Sequence, residues 1–496
     1  MDLLVQGFQF LMSEPSAWFL MVGGMFMGII FGSIPGLTAT LGVTLMIPFT
    51  FAMQPVQGLV LLIGIYVGGI SGGLITATLI NIPGTPASLV TCWDGYPMAK
   101  NGAPDKALSV GVFSSLIGGV ISAVALIFIA PQLAKIALKM GTWEYFSIAI
   151  LGLSIVVSMT SKDFIKGLLS MVIGLILGTV GIDSVTGITR LTFDAWQLQA
   201  GISSTALMMS LFAIREMFVQ MSDMDKERQK LRVKHVSIKP PVKEIKGCGK
   251  TFLVSSVIGT FIGILPGVAQ SAASILAYNQ AKNLSKTPEK FGTGCVEGVV
   301  ASETANNAVN GGAIIPLLTL GIPGDMTTAA LIGGLMIHGI QPGPMLFDNN
   351  AELVGSIFAV YLVANFVMYF MELGLMQAFI RLVEVPMAYL FPAILISCIL
   401  GTLTMNNRIF DLWVLILFGI GGYMLSYLGF AMTPLILGFI LGPMIEKNFR
   451  TSIIAAGGNV FSVLHRPVAM LLLVMAVAFI VWPIVLKRLA AKKQAN

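Results

Sequence analysis

Long apolar stretches recur along the chain from residue 16 to residue 486. A membrane-spanning helix needs about 20 such residues, so with loops allowed for, the length accommodates roughly 10–14 segments. The stretches are punctuated by Pro-Gly pairs, at Pro35-Gly36, Pro83-Gly84, Pro266-Gly267 and Pro323-Gly324. Proline lacks a backbone donor and glycine populates conformations closed to other residues, so each pair breaks a helix rather than packing it. The pattern predicts an all-α polytopic membrane protein in which several helices stop inside the bilayer.

The breaks repeat. Gly28-Ile-Ile-Phe-Gly32-Ser-Ile-Pro35-Gly36 returns as Gly259-Thr-Phe-Ile-Gly263-Ile-Leu-Pro266-Gly267, an offset of 231 residues (259 − 28). The stretch ending Asn81-Ile82-Pro83-Gly84 returns as Gly321-Ile322-Pro323-Gly324 at an offset of 240 (323 − 83). The nine-residue difference falls between the two motifs, around Lys282–Gly294. Two breaks in the same order in both halves are the signature of a duplication.

Charge orients the halves. No Lys or Arg precedes Lys100, and none occurs from Phe291 to Ile380. Nine basic residues crowd Met221–Lys250 against four acids, which makes that loop cytoplasmic by the positive-inside rule. The loops at Cys92–Lys106 and Lys282–Lys290 are basic and are also expected in the cytoplasm, as is the C-terminus with Lys487, Arg488, Lys492 and Lys493. Gln341–Glu352 carries only acids and is expected outside, whereas Lys135 and Lys139 fall against this scheme. In the first half the loop before the second break is uncharged and the loop after it basic. In the second half the loop before is basic and the loop after acidic. Equivalent loops with opposite bias predict inverted-topology repeats, residues 1–220 and 251–496, joined by a basic cytoplasmic linker at 221–250.

Composition narrows the function. Only 10% of residues are charged, against roughly 25% in soluble domains. The four cysteines and three histidines are scattered, without metal-ligand spacing, and there is no GxxxxGK[ST] loop. No cofactor, no nucleic-acid partner and no enzymatic activity are expected. Inverted repeats with broken helices near the midplane are the architecture of secondary transporters.

Broken helices offer chemistry of their own. N–H groups at a half-helix start favour anions, and freed carbonyls favour cations. Small polar residues flank the breaks: Ser33, Thr38, Thr40 and Thr44; Thr85, Ser88 and Thr91; Gln270, Ser271 and Ser274; Thr327 and Thr328. Of these, Ser33, Thr38, Thr85, Ser88, Ser271 and Thr327, with Pro35, Gly36, Pro83, Gly84, Pro266, Gly267, Pro323 and Gly324, form the expected substrate site. The plainer alternative is that these hydroxyls only cap helices. No Lys or Arg lies at any break in sequence. The most polar stretch, Glu297–Gly312, puts Glu303, Asn306, Asn307 and Asn310 at helical spacing. An acid beside amides suits a Na⁺ site or a proton relay, so Glu303, Asn306 and Asn307 are the expected cation-coupling residues, the alternative being a loop just outside the bilayer. Asp94 and Asp325 are weaker candidates, each near a loop.

Gly32-Ser-Ile-Pro-Gly-Leu37, Asn81-Ile-Pro-Gly-Thr-Pro-Ala-Ser88, Asp94-Gly-Tyr-Pro-Met-Ala-Lys100, Glu303-Thr-Ala-Asn-Asn307, Leu320-Gly-Ile-Pro-Gly324 and His338-Gly-Ile-Gln-Pro-Gly-Pro344 resemble the large membrane subunit of the tripartite tricarboxylate transporters, the TctA type. The resemblance spans nearly the whole chain. It departs at Ser302, where that family commonly has proline. It implies a bacterial inner-membrane carrier for di- and tricarboxylates such as citrate. Its implied partners are a small four-helix membrane subunit and a periplasmic solute-binding protein. It implies drive by a Na⁺ or H⁺ gradient rather than by ATP. A self-sufficient ion-coupled exchanger remains the alternative.

Overall fold

A computed structural model describes residues 2–160, 163–183, 185–222, 236, 239–267, 270–383 and 385–495. Half of the basic linker expected at 221–250 therefore lies outside the described residues. Among the described residues there are twenty α-helices and one two-stranded hairpin, Gly181–Ile182 against Thr189–Arg190. This is an all-α polytopic membrane protein. Among the described residues, five helices are long and apolar enough to cross a membrane by themselves. They are Pro15–Ser33, Pro55–Ile80, Pro104–Ala137, Ala351–Val383 and Ile409–Tyr427. Much of the remaining apolar sequence is in shorter helices, of which Ala39–Thr50, Gly249–Ile264 and Met326–Ile337 adjoin a Pro-Gly pair.

The four breaks fall into two kinds, one at each offset. At the first, helix Pro15–Ser33 ends in extended Ile34, Gly36 takes φ +92°, and helix Ala39–Thr50 begins. At the third, helix Gly249–Ile264 ends in extended Leu265, Gly267 takes φ +69°, and helix Gln270–Leu284 follows. Both glycines occupy a left-handed region that favours residues without a Cβ. The second and fourth breaks instead turn on a left-handed C-cap: Asn81 (φ 58°) ends helix Pro55–Ile80, and Gly321 (φ 70°) ends helix Val296–Leu320. Each then starts anew with a capping box, Thr85 with Ser88 and Asp325 with Thr328. The fourth break opens into helix Met326–Ile337, the second into the short turn Pro86–Leu89.

Packing repeats along with the turns. A Cβ on Gly28 would lie 2.4 Å from the Ile65 carbonyl oxygen, and one on Gly259 2.4 Å from that of Ala305. Positions 28 and 259 differ by 231, and 65 and 305 by 240 (305 − 65). One on Gly84 would meet the Gly32 carbonyl at 2.2 Å, and one on Gly324 that of Gly263 at 2.5 Å, again at the same two offsets. Membrane helices gain little from apolar burial against lipid, so backbone-to-backbone approach through small residues holds each pair together. The break loop of each half thus rests on the helix pair of its own half.

Two loop clusters join the halves. On one side, Asp94 receives hydrogen bonds on Oδ1 from the backbone N–H groups of Gly292 (2.9 Å), Gly294 (2.9 Å) and Cys295 (2.7 Å). Its Oδ2 accepts from the Tyr278 hydroxyl at 2.7 Å. The segment expected as a loop at Cys92–Lys106 is instead largely helical, and its helix Thr91–Lys100 is thereby fastened to the loop that precedes helix Val296–Leu320. Elsewhere the start of helix Pro55–Ile80 meets the end of the fourth half-helix, where a Cβ on Gly58 would lie 2.9 Å from His338 Nε2.

Candidate functional site

Helix Val296–Leu320 brings its polar residues inside the protein. Glu303, Asn306, Asn307 and Asn310 are all fully buried, so the segment is a buried helix and not a loop. Thr91 donates its hydroxyl to Glu303 Oε1, Ser115 donates to Oε2 at 3.2 Å, and Asn307 Nδ2 lies 3.5 Å from the same oxygen. Asn306 has neither amide atom bonded among the described residues. A second buried acid, Glu372 of helix Ala351–Val383, accepts from Ser71 at 3.0 Å while its Oε1 has no described partner. The rule that singles out Glu303, an ionisable group within a span, applies equally to Glu372.

The breaks meet at a cavity of about 470 Å³. That volume falls within the range of about 300–1,000 Å³ typical of small-molecule sites. Thr38, Ala39 and Thr40 border it from the first half-helix, Thr85, Pro86 and Ala87 from the turn after the second break, Gln270 and Ser271 from the third, and Asp325, Met326 and Thr327 from the fourth. Each of these is the start of a helical segment, where the first N–H groups lack intrahelical partners. The Thr40 and Thr327 hydroxyls are hydrogen-bonded across the two halves at 2.8 Å. Gly267 N–H donates to the Gly324 carbonyl at 2.7 Å, joining the third break to the fourth.

Of the expected substrate residues, Gly36, Thr38, Pro83, Gly84, Thr85, Gly267, Ser271 and Thr327 line this cavity. Ser33, Pro35, Ser88, Pro266, Pro323 and Gly324 are not among its lining residues. Ser33 donates to the Ile30 carbonyl at 3.1 Å, and Ser88 serves the cap, accepting from Thr85 N–H and donating to the Thr85 carbonyl. The plainer role foreseen for these hydroxyls, capping, is the geometry at Ser88, whereas Ser33 bonds back to its own helix. Glu303, Asn306 and Asn307 do not line the cavity either.

Three charged side chains do line it: Arg215, Glu216 and Asp325. Arg215 follows a π-helical turn, Ser210–Ile214, that carries the chain end into the cavity wall. Its Nη1 donates to Glu216 at 2.8 Å and its Nε to Ser426 at 2.9 Å. In sequence this Arg-Glu pair ends an apolar run, six residues before the basic linker. Nothing in its spacing places it beside breaks 130 residues before it (215 − 85) and 52 after it (267 − 215). Asp325 is held by Tyr66, whose hydroxyl donates to Oδ2 at 2.6 Å, and by Gln270, whose amide donates to the same oxygen at 3.0 Å. The Gln270 amide also reaches Asn310 Oδ1 at 3.1 Å.

Residues 18–437 match the Tripartite tricarboxylate transporter TctA family. The chain belongs to that family. It is thus the membrane component of a transporter, in a family of transporters rather than enzymes. A relative in Agrobacterium vitis, described as an uncharacterized 52.8 kDa protein in the TAR-I ttuC' 3'region, is 36% identical over 460 residues, 92% of this chain and 91% of the relative. A second, an uncharacterized protein in the TAR-II ttuC' 3'region of the same organism, is 38% identical over 215 residues, 43% of this chain and 89% of that relative. No solved structure matches the chain.

Proposed function

We propose that this TctA-family protein carries organic carboxylates, di- or tricarboxylates such as citrate, across the bacterial inner membrane on an ion gradient. It would do so as the large permease subunit beside a small four-helix membrane subunit and a periplasmic solute-binding protein. The convergence of four helical starts on one cavity carries the reading. A multiply charged anion is prohibitive to desolvate without partners. Each helix end supplies about 0.3–1 kcal/mol, and up to ~2 when partly buried. Arg215 adds the planar, two-pronged cation that matches a carboxylate.

The halves are inverted repeats in this proposal, with the central linker and C-terminus in the cytoplasm. The loop contacts support it. Asp94 follows the second break, yet it binds Gly292, which precedes the fourth. Gly58 precedes the second break, yet it lies against His338, which follows the fourth. Chains running in opposite directions through equivalent helices produce that pairing. Glu303, Asn306 and Asn307 are proposed as an interior cation or proton site.

The test is uptake of labelled citrate and shorter dicarboxylates into vesicles holding the chain and its small subunit, with Na⁺ and pH gradients imposed separately. Uptake that needs both a gradient and the added binding protein is the expected outcome. Gradient-driven uptake by the chain alone would make it the self-sufficient exchanger, and flux without gradient or saturation would make it a channel.

A further inference from the structure

A second cavity, of about 590 Å³, lies between the end of the basic linker, the start of helix Gly249–Ile264 and the loop that leads from helix Gln270–Leu284 toward helix Val296–Leu320. Lys246, Lys250, Lys286 and Lys290 line it, against Glu244 and Glu297. None of the four lysines is in an ion pair among the described residues. Glu297 instead accepts the Ser285 hydroxyl. No side chain caps the start of helix Gly249–Ile264, whose first N–H groups lack intrahelical partners. Ser255, further along the same helix, also lines the cavity. It is 1% exposed, and its hydroxyl has no described partner. Four unpaired cations, an uncapped helix start and an unused buried hydroxyl suit a phosphate.

The neighbouring surface decides which kind of phosphate. Lys250, Leu253, Val257 and Phe261 fall at i, i+3, i+7 and i+11, on one face of the helix, and the three apolar side chains are each more than half exposed. Leu276 and Leu284 are exposed on the next helix, and Leu284 lines the cavity itself. We propose that this cavity binds the phosphate of an anionic phospholipid, whose acyl chains lie along the Leu253, Val257 and Phe261 face. Lys250 stands at the head of that face, where a headgroup meets the apolar core. In the topology proposed above the cavity opens on the cytoplasmic side, and basic pockets between spanning helices on that side take anionic headgroups. A soluble phosphate would use the lysines but gain nothing from the apolar face. The bound lipid bridges the linker end to the loop that Asp94 also holds, and so stabilises the folded chain.

The experiment follows the melting temperature of the purified, delipidated full chain in detergent as lipid is titrated in. Phosphatidylglycerol raises it saturably. Phosphatidylcholine, whose headgroup has no net charge, and glycerol 1-phosphate, which has no acyl chain, do not. Lys250→Gln combined with Lys290→Gln removes two of the four charges and moves the half-maximal lipid concentration upward about 10- to 30-fold. Ser255→Ala moves it in the same direction. Lys243→Gln combined with Lys282→Gln removes as much charge nearby but outside the cavity lining, and leaves the titration unchanged. No response to phosphatidylglycerol, an equal response to phosphatidylcholine, or an equal loss in the outer-lysine variant overturns the proposal. A full response to glycerol 1-phosphate overturns it as well, because the cavity is then a soluble-phosphate site. No carboxylate is present, so a failure here is distinct from a failure of the transport reading, which only uptake measures.

Discussion

Arg215 is the sharpest test of an anion cavity, because its neighbour predicts a change of opposite sign. Its guanidinium is about a quarter exposed and paired with Glu216. A substrate carboxylate competes with Glu216 for it. Arg215→Gln removes a charge-assisted hydrogen bond worth about 1.5–3 kcal/mol. At 1.4 kcal/mol per decade this raises the apparent KM about 10- to 150-fold. Glu216→Gln keeps the shape and releases the arginine. A partly exposed ion pair holds only about 0.2–1 kcal/mol, so the KM should fall, by about fivefold at most. The double variant then separates direct contact from the repulsion an unpaired Glu216 would exert on an anion. If the double variant restores most of the loss, repulsion was the larger part. The assay is initial uptake rate against substrate concentration in vesicles of matched protein content. Both single variants moving KM in the same direction, or neither moving it, refutes the role given to Arg215.

Other outcomes follow from the same geometry. Thr85→Ala and Ser271→Ala should each raise KM severalfold at unchanged protein level, while Thr142→Ala, whose hydroxyl instead accepts from Ser452 at 2.6 Å, should not. Gly28→Ala and Gly259→Ala push a methyl into equivalent carbonyls and should each cost about 1–3 kcal/mol, seen as matched falls in detergent melting temperature. Cysteines placed at Lys286 and at Asn349 should label from opposite sides of the membrane, and labelling from one side would end the inverted-repeat proposal. Asp183, in the hairpin outside the spans, is pulled down to about 2 by hydrogen bonds from Thr186 and Val185, with Arg190 and Arg450 adding to it. Its folded value lies below an unfolded value of about 3.9, so its contribution is fully present above that pH and is lost as pH falls toward 2. Asp183→Asn should therefore flatten the acid limb of the stability profile.

The breaks were legible because they are local. Pro83-Gly84 and Pro323-Gly324 announce a stopped helix without reference to anything distant, and a constant offset survives as long as the glycines that pack against carbonyls do. The hydroxyls Thr38, Thr85, Ser271 and Thr327 could be named because each begins a helical segment beside its break. Arg215 could not. Its place in the cavity depends on how the last helix of the first half folds back past both pairs of breaks. Glu372 was hidden differently: it is one acid in a long apolar run, visible by the same rule as Glu303 but without neighbouring amides to draw attention. Asp325 reads as a loop residue until Tyr66, 259 positions earlier, is seen to hold it.

The Asp94 knot has a mechanical consequence. Three peptide groups and a phenol converge on one carboxylate, so separating helix Thr91–Lys100 from the loop before helix Val296–Leu320 means rupturing four bonds together. The two segments it ties, one from each half, must travel as a single block. Whatever motion opens the cavity toward that side has its hinge elsewhere, and a substitution at Asp94 would loosen the frame without touching the cargo.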